Sequence, residues 1–382
     1  MSREFLKLFF VTDLHGSTTC FKKFIRSVRR TSPPDVLILG GDITGKLVIP
    51  VVTNESEVAT IKLPGKNQSL QKTEIPAFEA EAERVEWYVY LCDDETFRKY
   101  SFDVNRRKEV AKRLQSERIT AWLRLAEEEL ASSKARLIIN TGNDDDFYID
   151  KLIQASKRIE FPDNRVIDLP QGLKLLSVGH SNETPWKCPR EMSEEALKKR
   201  IARLANQVAG GFRNCIFNFH CPPRDTQLDL APRLDASLRP QIGPHGQEFE
   251  HVGSKAVREA ILTFQPALSL HGHVHEQHIR AELGSTICVN PGSSYWTGSL
   301  QGAMATFENG EVAGVHLTSE RMGGGTEGTQ RVLGMGLASL IPVIGHVGTT
   351  MLHQQEIEEL KEQQVAMQQD LDSLKQSRGQ SR

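Results

Sequence analysis

Cysteine is scarce and scattered. Cys20, Cys92, Cys188, Cys215, Cys221 and Cys288 form no CxxC pair, which argues against a disulfide scaffold and a zinc knuckle. A surplus of either charge is also missing: 47 basic against 49 acidic residues leave a formal net charge of −2. That balance gives no nucleic-acid signal and no pull toward an anionic membrane. No apolar run reaches the ~20 residues that span a bilayer; residues 332–347 come nearest, broken by glycines and Pro342. That stretch is expected to be buried or self-associating, with membrane association the alternative. No signal-peptide pattern opens the chain, since the N-terminus runs straight into a strand. A reducing, cytoplasmic setting is therefore expected.

What is present is one pattern repeated five times: an apolar run, then a short turn rich in Asp, Asn or His. Phe9-Phe10-Val11 leads to Asp13 and His15, and Leu37-Ile38-Leu39 to Gly40-Gly41-Asp42. Further on, LIINTGND ends in Asn143 and Asp144, CIFNFH in His220, and LSLHGHVH in His271, His273 and His275. Polar residues at the end of a buried strand are how a chain presents ligands at a sheet edge. The early strand, helix, strand rhythm predicts an α/β fold with parallel strands covered by helices.

Between Asp42 and Asn143 the rhythm breaks for far longer than a crossover needs. Residues 43–135 read as an insertion. It starts with a hairpin from 47–53 and 58–63, has a polar stretch over 64–76, and ends in helices over 77–92 and 104–131. Its role is either packing and oligomer contact or covering a pocket. The core resumes with a strand at 136–140, a helix from Tyr148 to Ala155, an edge strand at 166–170 and a strand at 172–179. A charged helix over 191–210 and the strand 215–219 follow. Residues 221–253, with five prolines, read as a long loop without clear elements, a kind of segment that is often functional. Then come a helix from Ser254 to before Pro266, a strand at 267–270, and a closing antiparallel meander over 285–289, 303–307 and 311–317. Asn290-Pro291-Gly292-Ser293 is a turn signature. The catalytic domain is expected to span 1–318, with a Gly-rich linker and apolar segment over 319–350. Residues 351–382 read as a short coiled-coil-like helix with a polar tail. Ile357, Leu360, Gln364, Met367, Leu371 and Leu374 form its seam, a candidate route to a homo-oligomer.

The donors at the strand ends are Asp13, His15, Asp42, Asn143, His220, His273 and His275, a mixed oxygen and nitrogen set. One structural zinc needs only four ligands; this set suits two divalent ions sharing one carboxylate. Asp42 is the natural bridge, because Gly40-Gly41 lets the backbone approach closely. Such ions can hold a water, lower its pKa and direct the hydroxide at phosphorus. Asp42 is thus a catalytic candidate as well as a ligand, with Asp144 and His271 beside it; His271 would orient a ligand or touch the substrate.

Taken together these residues resemble the calcineurin-like metallophosphoesterases. The family pattern is D-x-H, G-D, G-N-H/D, a later H, and G-H-x-H. Here it reads Asp13-Leu14-His15, Gly41-Asp42, Gly142-Asn143-Asp144, His220 and Gly272-His273-Val274-His275. The resemblance implies a four-layer αββα sandwich of two mixed sheets. It assigns one metal to Asp13, His15, Asp42 and His275 and the other to Asp42, Asn143, His220 and His273. It also implies manganese, iron or zinc, and hydrolysis of a small phosphomonoester or phosphodiester. Where many members place a histidine after the asparagine, this chain has Asp144, which raises the question of what eases departure of the leaving group. Two other classes stay open at this point: a metal-binding scaffold of the same fold assembled through its C-terminal helix, and a nuclease.

Overall fold

Alternation decides how the first sheet is used. In this computed structural model, which describes residues 5–63, 66–244 and 246–320, Phe5–Val11 pairs in parallel with Val36–Leu39, and that strand with Arg136–Ile139. Side chains on successive residues point to opposite faces. Phe10, Ile38 and Ile138 therefore form one row across the sheet, buried against Ile216, Leu268 and Leu270 of the second sheet. Phe9, Val11, Leu37, Leu39, Leu137 and Ile139 face the other way. They pack beneath the helices Thr18–Arg26, Val104–Glu129 and Tyr148–Ala155. An antiparallel hairpin of Leu300–Glu308 and Glu311–Glu320 and the short strand Ile159–Glu160 complete six strands.

The second sheet also has six strands, in the order Ile279–Leu283, Thr286–Asn290, Leu268–Leu270, Cys215–Phe219, Lys174–Val178 and Val166–Asp168. Its outer face, with Leu176, Val178, Phe217 and Phe219, is buried under Glu194–Ala205 and Lys255–Phe264. Both helices begin on a serine whose hydroxyl accepts a first-turn N–H: Ser193 from Ala196 and Ser254 from Val257. The α/β fold class expected from the sequence is the one observed.

Several local expectations are corrected. Residues 77–92 are not one helix: the helix is Ile75–Arg84, and Tyr88–Cys92 is a strand parallel to Val48–Val52. Its aromatic and β-branched alternation buries Tyr88, Tyr90 and Cys92, a strand pattern that outweighs the polar residues before it. Within 64–76 lies another strand, Lys66–Gln71, paired with Val58–Leu63, so the insertion carries a four-stranded sheet of its own. Its long helix runs from Val104 to Glu129. The segment 221–253 is not structureless either, since Leu230–Pro232 pairs with Phe249–His251 and Ile242–Gly243 with Gly246–Gln247. The charged helix is shorter than expected, Glu194–Ala205, because Glu191–Met192 pairs with Ser181–Asn182. The closing meander is split between sheets: Thr286–Asn290 lies parallel to Leu268–Leu270 in the second, and the last hairpin joins the first. Chain beyond Glu320, with the apolar stretch 332–347 and the heptad seam, lies outside the described residues. Among the described residues no helix is long and apolar enough to cross a membrane.

The buried row between the sheets fixes how their edges face each other. Truncating Phe10, which is 1% exposed, by Phe10→Ala is expected to cost about 3–5 kcal/mol, read as a lower urea midpoint with an unchanged slope.

Candidate metal centre

Backbone bonding brings the strand ends together before any side chain acts. Asp13 N–H donates to Gly41 O at 2.9 Å and His15 N–H to Asp42 O at 3.0 Å. Gly272 N–H donates to His220 O at 2.9 Å. The sheets are joined across their edges: His273 N–H donates to the Asp13 carboxylate at 3.1 Å, and the Ser293 hydroxyl to Asp13 O at 2.6 Å. The Asn290-Pro291-Gly292-Ser293 turn therefore lines this edge. Asn290 braces it by donating to Val274 O at 2.9 Å.

The turns are tight enough to force unusual backbone. Asp13, His15, Asp42 and His273 have φ of 55°, 42°, 48° and 69°, a left-handed region that costs of order 1–3 kcal/mol for a side-chain-bearing residue. Gly142 has no substitute here, since a Cβ there would lie 2.2 Å from Asp42 Oδ1. One at Gly41 would lie 2.6 Å from His220 Nδ1, the close approach that the Gly-Gly pair suggested.

All seven expected donors are buried and meet at this edge. Asp13, His15 and His275 each offer an atom within 4.8 Å of the others, and so do Asp42, His220 and His273. Asn143 joins the second group, its Oδ1 2.8 Å from His273 Nδ1. Asp42 Oδ2 sits between the groups, 3.3 Å from His220 Nε2 and 3.8 Å from His15 Nε2. His220 Nε2 is buried, faces the Asp42 and Asp13 carboxylates at 3.3 and 3.7 Å, and has no other polar partner among the described residues. An imidazole nitrogen held open beside two carboxylates fits a divalent cation in nitrogen and oxygen coordination.

Charge is arranged to match. Burial acts to raise the carboxyls of Asp13 and Asp42, but the surrounding imidazoles, His220 foremost, outweigh it and hold both below the usual carboxylate range. Burial lowers the His15 and His273 imidazoles to about 4. His220 is the exception: burial opposes its charge, yet Asp42 and Asp13 lift it to about 9.

Around the donors lie groups with other tasks. His271 is fully buried, its Nδ1 2.8 Å from Phe219 O and its Nε2 2.8 Å from the Ser269 hydroxyl. It braces the His220 turn. Asp144 N–H donates to Asp42 Oδ1 at 2.9 Å, and its carboxylate is 3.2 Å from Lys46 Nζ. Burial pushes the Asp144 carboxyl up and Lys46 pulls it down. Asp145 ties the Asp42 turn to the Asn143 turn by accepting from Thr44 N at 2.9 Å and Gly142 N at 2.9 Å.

Three further residues at the site gave no sequence signal, because each acts through its place in the fold and not through a motif. Arg190, 1% exposed, donates to Asp145 O, to Asp146 O and to both Asp150 oxygens. Tyr295 packs on the His15 and His275 rings, with centroids 4.8 and 5.8 Å away. Glu86 of the insertion accepts from the Tyr295 hydroxyl at 3.3 Å, so the insertion is in contact with the residues behind the ligands.

Two consequences are measurable. Arg190→Met leaves Asp150 with only the Thr141 hydroxyl and removes the bonds to the Asp145 and Asp146 carbonyls; it should cost about 3 kcal/mol, the low end for breaking a buried pair, by urea denaturation. Burial raises the Glu86 carboxyl to about 8, above its ordinary 4.5. A folded carboxyl pKa above the unfolded one means that the native state holds the extra proton, so stability falls as pH rises from 4.5 to 8. Glu86→Gln should remove that slope: in metal-free protein its Tm should match wild type near pH 4.5 and exceed it progressively up to pH 8.

Comparison with known proteins agrees with this site. The family model described as metallophosphoesterase of the calcineurin superfamily matches residues 238–301, a span that contains Gly272–His275 and Tyr295. An uncharacterized protein of Methanocaldococcus jannaschii is 28% identical over 130 residues, covering 34% of this chain and 52% of the relative. The chain thus matches about half the length of that curated relative. A solved structure of a Thermus thermophilus protein aligns at 12% identity and a TM-score of 0.47, over 83% of this chain and 99% of that one. A protein serine/threonine phosphatase of Saccharomyces cerevisiae aligns at 9% and 0.28, over 84% and 82%. Scores this low carry no argument about function. The matched segment holds the G-H-x-H turn Gly272–His275, seated among the donors of four other strand ends, and over residues 238–301 the chain is similar to the metallophosphoesterases of the calcineurin superfamily.

Proposed function

We propose that the chain is a metal-dependent phosphoric ester hydrolase that holds two divalent ions, one by Asp13, His15, Asp42 and His275 and the other by Asp42, Asn143, His220 and His273. The observation that carries this reading is the buried His220 Nε2 that faces Asp42 Oδ2 at 3.3 Å and Asp13 Oδ1 at 3.7 Å, ligand-type atoms from three strand ends converging on one point. A lone structural ion would leave three of the seven donors without a role. Bound there, divalent cations would activate a water and offset the charge of the phosphoryl oxygens.

The chain's own residues do the rest. Asp42, between the two groups, fixes their spacing. Asp145 and Arg190 hold the Asn143 turn to the Asp42 turn, so the donors are in place before a substrate arrives. His271 sets the height of His220 by bonding the carbonyls on either side of it, those of Phe219 and Cys221. Tyr295 walls off His15 and His275 and keeps water from their outer faces. With near-zero net charge, a small phosphate ester suits the site better than a polymer.

The direct test is turnover of an aryl phosphate and its diester analogue by manganese-, iron- or zinc-loaded protein. Chelation should abolish activity and the same metal restore it. Asp42→Asn, which removes the shared charge, should lower kcat/KM by at least about 100-fold, the upper figure for losing a mere supporting partner of a ligand, with circular dichroism unchanged. Metal-loaded protein that turns over no ester on a broad panel would move the chain to the scaffold class.

A further inference from the structure

Resting on the hydrolase reading, we propose that Lys46, a residue of the insertion, is the cation that meets the leaving-group oxygen of the ester. The residue before it, Gly45, is clamped from three sides. Gly45 N–H donates to the Tyr88 hydroxyl at 3.2 Å, and Gly45 O accepts from Gln115 at 2.7 Å. A Cβ at Gly45 would lie 2.4 Å from Glu86 O and 2.7 Å from His15 O, so the chain passes here with no slack. The side chain crosses to the Asn143 turn, where the ammonium bonds the carbonyl and the carboxylate of Asp144. Asp144 is bonded in turn to Asp42, and its other oxygen is 4.0 Å from His15 Nδ1. Lys46 is thus one carboxylate away from the donor cluster.

Exposure sets the direction. The seven donors are at most 8% exposed, whereas the side chains of Asp144 and Lys46 are 18% and 33% exposed. They stand on the solvent side of the cluster, the side from which an ester enters and its alcohol departs. An ammonium has three N–H donors, and Asp144 takes two. The other cations nearby are committed: Arg190 to the 145–150 segment, and Arg118 to Gly16 O and Trp87 O with its face on Tyr88. Arg190 is 1% exposed and Arg118 is turned to the Gly16 and Trp87 carbonyls, whereas Lys46, 33% exposed, keeps one N–H beyond its two bonds to Asp144.

The step balances as hydrolysis. Water oxygen forms the new bond to phosphorus, and the ester P–O bond breaks with its electron pair on the departing oxygen. Lys46 keeps its proton and holds that developing charge; the departing oxygen takes its proton from solvent, to which the attacking water gives one up. Such help matters in proportion to the charge that the leaving group must carry.

The test uses the full chain loaded with Mn²⁺, comparing wild type, Lys46→Met and Lys46→Arg on phenyl phosphate and 2,4-dinitrophenyl phosphate. Lys46→Met should lower kcat on phenyl phosphate about 100-fold, the usual size for losing one charge-stabilising donor, but leave the dinitrophenyl ester within a few-fold. Lys46→Arg should recover much of the loss. Calorimetry with inorganic phosphate, which has an oxygen at the departing position, should show weaker binding to Lys46→Met. Equal losses on both esters, or unchanged phosphate affinity, would overturn the assignment. Should wild type bind metal and turn over neither ester, the hydrolase reading fails by itself, and the phosphate affinities still decide whether Lys46 faces the anion. Should Lys46→Met not fold, Lys46→Gln takes its place.

Discussion

Two buried carboxylates, Asp13 and Asp42, stand among imidazoles at the open edge between two sheets, and this crowding of opposite charge is what the surroundings are shaped to sustain. Taken out of water, either carboxylate would be driven toward protonation. The histidines prevent that, and in return His220 holds a proton more tightly than usual. The backbone shares the burden. Four of the donors sit in the left-handed region, and Gly142 leaves no space beside Asp42. Strain of this kind persists only where surrounding packing over-determines it, and the apolar rows on both faces of each sheet supply that packing.

The insertion takes part in the same arrangement. Its sheet and long helix hold Gly45 between Tyr88 and Gln115, put Glu86 against Tyr295, and set Arg118 under the first turn. These contacts reach the outer side of His15 and the Asp144 turn. Of the two roles that the sequence left open for this block, packing and covering the pocket, the contacts show packing that extends to the residues supporting the donors.

What could be read from the sequence follows from periodicity and local chemistry. The strands ending in Asp13, Asp42, Asn143, His220 and His273 are buried on both faces, so their apolar runs and terminal donors stood out, and with them the α/β class. Tyr88–Cys92 did not, because an alternating strand beside a charged helix has no boundary that composition marks. Pairings within 221–253 depend on two- and three-residue ladders, too short for any pattern to register. Arg190, Tyr295 and Glu86 were hidden for a different reason. An arginine that bonds carbonyls or a tyrosine that covers a ring leaves no spacing rule behind, only a position that the tertiary fold creates. Lys46 had the same disguise, one lysine among forty-seven basic residues.

The bond from His273 N–H to Asp13 joins residues 260 apart in sequence. On a ribosome adding about 5–20 residues per second, Asp13 and Asp42 are therefore made roughly 10–50 s before the histidines that hold them. During that interval the acidic tips of the first strands have His15 beside them but not His220, His273 or His275. Three of the four imidazoles that face those tips, His220, His273 and His275, arrive at the strand ends of the second sheet. Docking of the sheets and completion of the donor cluster are thus one late event in the making of the domain.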